Sequence, residues 1–257
     1  MAAQASLPGK VWLVGAGPGA ADLLTLRAAR LLAQADIVLH DALVHPDVLA
    51  LAPRAIQVPV GKRCGRLSTT QRFINKRLVD AARRHRRVVR LKGGDPMLFG
   101  RAQEEIDALR DAGIEVEVVP GISAVFGASA DALQSLTQRG VSRSVILLTP
   151  RFGEGERQHD WARPAAAADT IVLYMAGRSA EPIREGLLAA GLPPGLPAIV
   201  VENASLPGER IQAGRLGDLP AMTRALGDGP ALLMLGAVYE ALADRRDGRA
   251  RGEAAAA

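Results

Sequence analysis

Val11-Trp12-Leu13-Val14, followed at once by Gly15-Ala16-Gly17-Pro18-Gly19-Ala20, reads as a short apolar strand running into a glycine turn. The turn formally satisfies the dinucleotide fingerprint, with alanine in the last position. That fingerprint needs its glycines to open the next helix directly. Here Ala21 to Leu24 intervene before Thr25, the better N-cap for a helix carrying Leu26, Ala29 and Leu32. Pro18 fixes its own backbone and removes one N–H, which suits a ligand lying against the backbone better than a pyrophosphate that needs every donor. As an isolated match the segment also reads as a plain tight turn.

Outward from that turn, β-rich runs alternate with helical patterns. The runs lie at 36–39, 56–60, 87–91 and 114–119, and Ser68-Thr69-Thr70-Gln71 forms a capping box before Ile74, Leu78 and Ala82 on one helical face. The layout is α/β. After Leu136 it restarts, with strands expected at 144–149, 170–174, 197–201, 210–213 and 231–235 and helices near 180–190 and 216–226. Two α/β domains are expected, 1–136 and 137–243, joined where Gln, Ser, Thr and Gly cluster in 133–143, with 244–257 as a disordered tail. A ligand gripped by both halves would lie in a cofactor cleft between them.

Two further glycine turns leave strands. Lys92-Gly93-Gly94-Asp95-Pro96 follows the 87–91 run, at the carboxyl end where open α/β sheets bind ligands. Its glycines let a ligand approach the backbone, and Asp95 can accept hydrogen bonds or attract a cation, although Gly-Gly-Asp-Pro is also an ordinary turn. Val119-Pro120-Gly121-Ile122-Ser123-Ala124 leaves the 114–119 run, with Ser123 placed to cap the next helix. Three glycine turns at three strand ends imply one crevice.

The 257 residues carry a formal charge of +5 and are 48% hydrophobic but only 3% aromatic. Such a chain buries a real core, and its few aromatic platforms argue against a nucleic-acid partner. Arg83-Arg84-His85-Arg86-Arg87 reads as a solvated helix end rather than a binding patch. No apolar stretch is long enough to span a membrane and the amino terminus lacks a secretory layout, so a cytoplasmic location is expected. Cys64 is the one cysteine, and His40, His45, His85 and His159 are scattered, so neither an internal disulfide nor a bound metal is expected.

Together these segments resemble the tetrapyrrole methylase family, and within it the uroporphyrinogen III C-methyltransferases, over nearly the whole chain. The resemblance rests on Val14-Gly15-Ala16-Gly17-Pro18-Gly19, Leu23-Leu24-Thr25-Leu26, Val60-Gly61-Lys62-Arg63, and the stretch from Val89 to Pro96 with Phe99-Gly100-Arg101. It continues through Val119 to Ala124, Leu136-Thr137, Arg143-Ser144-Val145, Tyr174-Met175 and Val201-Glu202-Asn203-Ala204. It implies a homodimer of two-domain α/β subunits that holds S-adenosylmethionine in the cleft and leaves S-adenosylhomocysteine as product. Cofactor contacts then fall on Pro18, Gly93, Gly94, Asp95, Leu98, Ser123, Ala124, Met175 and Ala204. Asp41 and Lys62 match the family's acid and base residues, and Arg101 and Glu104 match positions that handle substrate. The implied reaction is C-methylation of uroporphyrinogen III, twice, via precorrin-1 to precorrin-2, toward sirohaem, cobalamin or haem d1-type products.

A reduced pyrrole is an enamine-like carbon nucleophile, so in-line positioning matters more than strong activation. A carboxylate such as Asp41 can take the proton that the methylated ring must lose, and the forks of Arg101, Arg63 and Arg66 suit the substrate's carboxylates. Each role has a plainer rival: Asp41 as a turn cap, Lys62 as a carboxylate contact, Met175 as a strand core residue. The chain departs from the family pattern at His40, where tyrosine is common, and at Ala102-Gln103, where paired glycines are common and whose bulk would crowd the cleft. It departs again at Asp131, Gln138, Pro150 and Arg151. A same-fold methylase for a later corrin precursor or RNA stays open, as does a degenerate paralogue that binds without turnover. A nicotinamide oxidoreductase would need an acidic residue at the end of the second strand; Asp36 begins that strand and Asp41 lies just past it.

Overall fold

The computed structural model describes residues 8–61, 71–150, 160–177 and 179–245. Lys62, Arg63, Cys64, Arg66, the 68–70 part of the expected capping box, Arg151, His159 and the tail from 246 onward lie outside the described residues. The chain divides into two compact units, Met1–Ala124 and Val125–Ala257. This division falls earlier than the expected join at 136/137, because the helix after the third glycine turn is tied into the second unit. Its Val125 N–H donates to the Tyr174 hydroxyl at 3.3 Å, and its Asp131 accepts from the Ser205 N–H at 2.8 Å.

In the first unit β1 (Lys10–Gly15), α1 (Leu26–Gln34), β2 (Ile37–His40), α2 (Pro46–Leu49), β3 (Ile56–Pro59), α3 (Gln71–Arg84), β4 (Arg87–Lys92), α4 (Ala102–Asp111) and β5 (Val116–Val119) follow in order. The strands form one parallel sheet ordered β3-β2-β4-β1-β5. Side chains alternate across a strand, so the strands inside the sheet feed two cores, while the edge strand β3 gives only Val58, to one of them. Val11, Leu13 and Val88 pack with Leu78 of α3 and Leu109 of α4, while Val14, Val89 and Leu91 pack with Ala28 and Leu32 of α1. The chain leaves β1 across β4 to reach β2, then leaves β4 across β1 to reach β5. The carboxyl ends of β1 and β4 therefore flank the sheet's topological switch point.

Thr25 caps α1 as expected, its hydroxyl accepting from the Ala28 N–H at 3.1 Å. Leu26, the first residue of α1, is 83% exposed. It lies roughly 200° around the helix from Ala28, whereas Leu32 returns to within roughly 40° of it.

The second unit opens with α5 (Ala124–Asp131), which starts at the boundary residue. It continues with β6 (Val145–Leu148), α6 (Ala162–Ala166), β7 (Thr170–Leu173), α7 (Ala180–Ala189), β8 (Pro197–Glu202), β9 (Arg210–Arg215), α8 (Leu219–Arg224) and β10 (Ala231–Gly236). Its sheet, ordered β6-β7-β10-β8-β9, is mixed: β6 and β7 are parallel and the other pairings antiparallel. Ile171, Leu173, Val200, Leu233 and Leu235 pack there against Ile183 and Leu187 of α7 and Leu219 and Met222 of α8. At the expected start of the tail, residues 244 and 245 are still helical, with Asp244 bound to Arg215 at 2.7 Å. Among the described residues no helix is long and apolar enough to cross a membrane, and no group of His, Cys, Asp and Glu is placed to hold a metal ion.

One polar junction makes this unit's stability depend on pH. The Ser205 N–H is shared between Asp131 Oδ2 at 2.8 Å and Glu209 Oε2 at 3.0 Å, bringing two carboxyl groups together. Burial first, then the Asp131 carboxyl, push Glu209 up from 4.5 to about 7. A raised folded-state value means that the stabilisation is complete below 4.5 and is lost as pH rises through about 7. Thermal melts should therefore show wild type losing about 1 kcal/mol relative to Glu209→Gln between about pH 5 and about pH 8, a figure reduced for solvent screening. Parallel melting curves across that window would contradict this.

Candidate functional site

The three glycine turns meet at the switch point of the first sheet. Gly17 and Gly94 form a two-way bridge, Gly17 N–H to Gly94 O at 3.2 Å and Gly94 N–H to Gly17 O at 2.8 Å. Gly17 and Gly94 both have positive φ, 73° and 65°, a conformation glycine adopts without strain. Gly121 closes the group from the end of β5: a Cβ added to it would lie 2.4 Å from Gly94 O and 2.8 Å from Gly15 Cα. Pro18, Gly93, Gly94, Asp95, Ser123 and Ala124 are thereby gathered at the ends of β1, β4 and β5. Leu98 sits in the turn after Asp95, its N–H donating to the Asp95 carbonyl at 3.3 Å.

Asp95 does something the sequence did not indicate. Oδ1 accepts from the Met97 N–H at 2.8 Å and Oδ2 from the Gly121 N–H at 2.9 Å, so the carboxylate ties the second glycine turn to the third. Any ligand group would share oxygens already committed to the backbone.

In the second unit Met175 and Ala204 follow β7 and β8, two strands that point the same way on either side of β10. Met175 is not the strand core residue of the plainer reading. It stands beyond the end of β7, 47% exposed, with φ of 56°. Ala204 is buried between Asn203 and Ser205, both with left-handed backbone, and Asn203 N–H donates to Pro230 O at 2.9 Å. Asparagine takes such backbone readily, whereas at Ser205 it carries strain that the surrounding turn must hold.

The candidate acid, base and substrate residues are differently disposed. Asp41 follows β2, and its Oδ1 accepts from Arg90 Nη2 at 2.5 Å. Arg90, in the middle of β4 and 2% exposed, also donates from Nε to Glu105 Oε1 at 3.1 Å. Lys92 Nζ lies 3.1 Å from each oxygen of Glu105, which is fully buried on α4. Burial is the largest influence on Arg90 and lowers it, but Asp41 and Glu105 together outweigh burial and hold the guanidinium above its ordinary value. For Lys92 burial wins, helped by the Arg90 charge, and the ammonium sits below its ordinary value.

Arg101 and Glu104, expected as two substrate contacts, are paired with each other: Nε and Nη2 of Arg101 meet the two Glu104 oxygens at 2.7 and 2.8 Å. Ala102 packs into the first core, and Gln103 holds Asp107 at 2.7 Å along α4. His40 Nδ1 lies 3.1 Å from the Asp41 carbonyl oxygen.

A model of the tetrapyrrole (corrin/porphyrin) methylases matches residues 10–220. The chain belongs to the tetrapyrrole methylase family. A siroheme synthase of Zymomonas mobilis is 44% identical over 231 residues, which cover 90% of this chain and 49% of that protein. This tetrapyrrole methylase thus spans about half the length of the curated relatives it matches. Among solved structures, a uroporphyrin-III C-methyl transferase from Thermus thermophilus, complexed with S-adenosyl homocysteine, is 40% identical with a TM-score of 0.80, over 91% of this chain and 100% of that one. A cobalt precorrin-4 methyltransferase of cobalamin biosynthesis is 30% identical with a TM-score of 0.79, over 90% and 95% of the two chains.

In this tetrapyrrole methylase the first glycine turn does not open a helix. A 3-10 turn, Ala21–Leu23, precedes α1, and Asp36, at the amino end of β2, accepts from the Arg86 and Arg87 N–H groups. Both findings remove the support for a nicotinamide site. The Arg90, Lys92 and Glu105 cluster is what sequence reasoning missed. Its signal was two cations spaced two apart in an otherwise apolar run, hence on one face of a central strand.

Proposed function

We propose that the chain is a uroporphyrinogen III C-methyltransferase, moving two methyl groups from S-adenosylmethionine to the macrocycle, via precorrin-1 to precorrin-2, on a route to sirohaem. The observation that carries this reading is the set of bridged glycine turns at the switch point, in a chain 40% identical to the Thermus enzyme solved with S-adenosyl homocysteine. The residues present fit such a cofactor. Among the described residues, a Cβ built on Gly93 would meet only the Leu43 side chain, at 3.5 Å, and one on Gly94 only Ser123 and Ala124, at 3.8 Å or more, so the backbone of this turn is bare and uncrowded, as a ligand lying against it requires.

Pro18, Gly93, Gly94, Asp95, Leu98, Ser123 and Ala124 are our contacts for it in the first unit, and Met175 and Ala204 in the second. Carbonyl and carboxylate oxygens steady a cation without competing as nucleophiles. When bound, S-adenosylmethionine supplies an electrophilic sulfonium methyl. Asp41 accepts the proton that the methylated ring loses, with Lys62 as its acid–base counterpart; such groups typically contribute about 10²–10⁴-fold. We also propose a second copy of the chain as partner, supported by the exposed Phe126, Leu133 and Val145 of the second unit, and the cytoplasm as location.

Arg101 grips a substrate carboxylate by exchanging it for Glu104. Arg101→Ala should raise KM for the tetrapyrrole at least about tenfold, since a hydrogen bond to a charged group is worth about 1.5–3 kcal/mol. The dissociation constant of S-adenosylhomocysteine should not move; an equal loss there would assign Arg101 to the cofactor instead. A second reading, methylation of a later corrin precursor, is favoured by the likeness to the precorrin-4 enzyme. Offering the pure protein each acceptor separately tests the choice. Consumption of uroporphyrinogen III supports our reading, and consumption of the later precursor alone overturns it.

A further inference from the structure

Asp41 is the outward end of a network that is otherwise sealed. Its side chain is 28% exposed, whereas those of Arg90, Lys92 and Glu105 are 2%, 4% and 0% exposed. The two cations and two carboxylates balance in charge. The Arg90 guanidinium is fixed on three sides, by Glu105 Oε1 at 3.1 Å, the Leu91 carbonyl at 3.1 Å and Asp41 Oδ1 at 2.5 Å. The same Leu91 carbonyl accepts from the Asp41 N–H at 3.3 Å, so backbone and side chain of Asp41 are pinned to one point. Glu105 is itself held by Lys92 and by Gln71 Nε2 at 3.3 Å. Among the described residues Asp41 Oδ2 has no hydrogen-bond partner.

We propose that Arg90 is the positioning residue of the methyl-transfer site: clamped by Glu105 and the Leu91 carbonyl, it fixes Asp41 Oδ1 and thereby presents Oδ2 to the acceptor. This rests on Asp41 being the acid–base group of the reading above. The arrangement assigns the two oxygens different work. Oδ1 is spent on orientation, and Oδ2 alone exchanges a proton with the ring. A lysine at position 90 keeps the buried charge but cannot fork between Glu105 and Asp41, because it offers a point charge rather than a planar set of donors.

The test is a mutant cycle on the full chain with Arg90→Lys, Asp41→Asn and the pair together, reading kcat, KM and S-adenosylhomocysteine affinity. Arg90→Lys should lower kcat at least tenfold, with KM and affinity within about threefold of wild type, and the pair should be no worse than Asp41→Asn alone, as for residues acting as one unit. Losses that multiply in the pair, or a wild-type kcat in Arg90→Lys, would overturn the proposal while leaving the reading of Asp41 intact. Full activity in Asp41→Asn would overturn both. Nitrogen-15 spectra give a readout independent of turnover: the slowly exchanging Arg90 guanidinium signals should shift in Asp41→Asn, and unchanged signals count against the clamp. Should Arg90→Lys fail to fold, Arg90→Gln, which leaves Glu105 paired with Lys92 and Asp41 at the partly exposed end, carries the cycle with the same expectations.

Discussion

Glu105→Ala should cost the first unit about 3–5 kcal/mol, a large share of the about 5–15 kcal/mol that is typical of a whole domain. Glu105 is fully buried and its carboxylate is the sole anion shared by Arg90 and Lys92 among the described residues, with Gln71 as a third donor. Removing it leaves two cations in the core with Asp41 as their remaining counter-charge. The loss comes from stranding those charges rather than from any large net value of the ion pairs, since burying an ion pair costs nearly what its attraction returns. A second variant separates the two effects. Replacing Arg90, Lys92 and Glu105 together by apolar residues of similar volume should restore the urea midpoint to near wild type, while turnover stays low because Asp41 has lost its partner. A normal midpoint in Glu105→Ala alone would show that solvent reaches the cluster and that the account of its burial is wrong.

Gly121→Ala should damage binding and stability together. The added carbon would lie 2.4 Å from Gly94 O and 2.8 Å from Gly15 Cα, and both obstacles are backbone, which cannot rotate aside. Relief requires the third glycine turn to move away from the other two. That motion would break the 2.9 Å hydrogen bond from the Gly121 N–H to Asp95 and disturb the Gly17–Gly94 bridge. We expect a loss of about 1–3 kcal/mol in stability, typical of overpacking, and at least a tenfold weaker affinity for S-adenosylhomocysteine by calorimetry. Gly195→Ala is the control, because no atom lies within 4 Å of its added carbon. If Gly121→Ala binds as well as Gly195→Ala, the glycine turns do not form the crevice.

Much of the fold was legible because β-branched runs ending in Gly or Pro punctuate it so regularly. Among the described residues, all ten strands lie within two or three residues of where those runs placed them. Direction was not legible: β8 and β10 are buried on both faces, and nothing in their sequence or in that of the more exposed β9 distinguishes an antiparallel strand from a parallel one. Nor was the division at Ala124, since it depends on where Asp131 and Val125 find their hydrogen-bond partners, not on local composition. The three glycine turns were legible as a group because each needs bare backbone at a strand end. The partners of Asp41, Asp95 and Arg101 were not, because a carboxylate or guanidinium looks the same in sequence whether it faces a ligand or another side chain. Arg90 and Lys92 come closest to an exception, as charges that a central strand can carry only if something buried answers them.

The measurement that bears most directly on the whole account is anaerobic incubation of the pure protein with uroporphyrinogen III and methyl-labelled S-adenosylmethionine, followed by mass spectrometry of the tetrapyrrole. The account predicts two labelled methyl groups per macrocycle. An unlabelled macrocycle, under conditions where calorimetry shows S-adenosylhomocysteine bound, would contradict it.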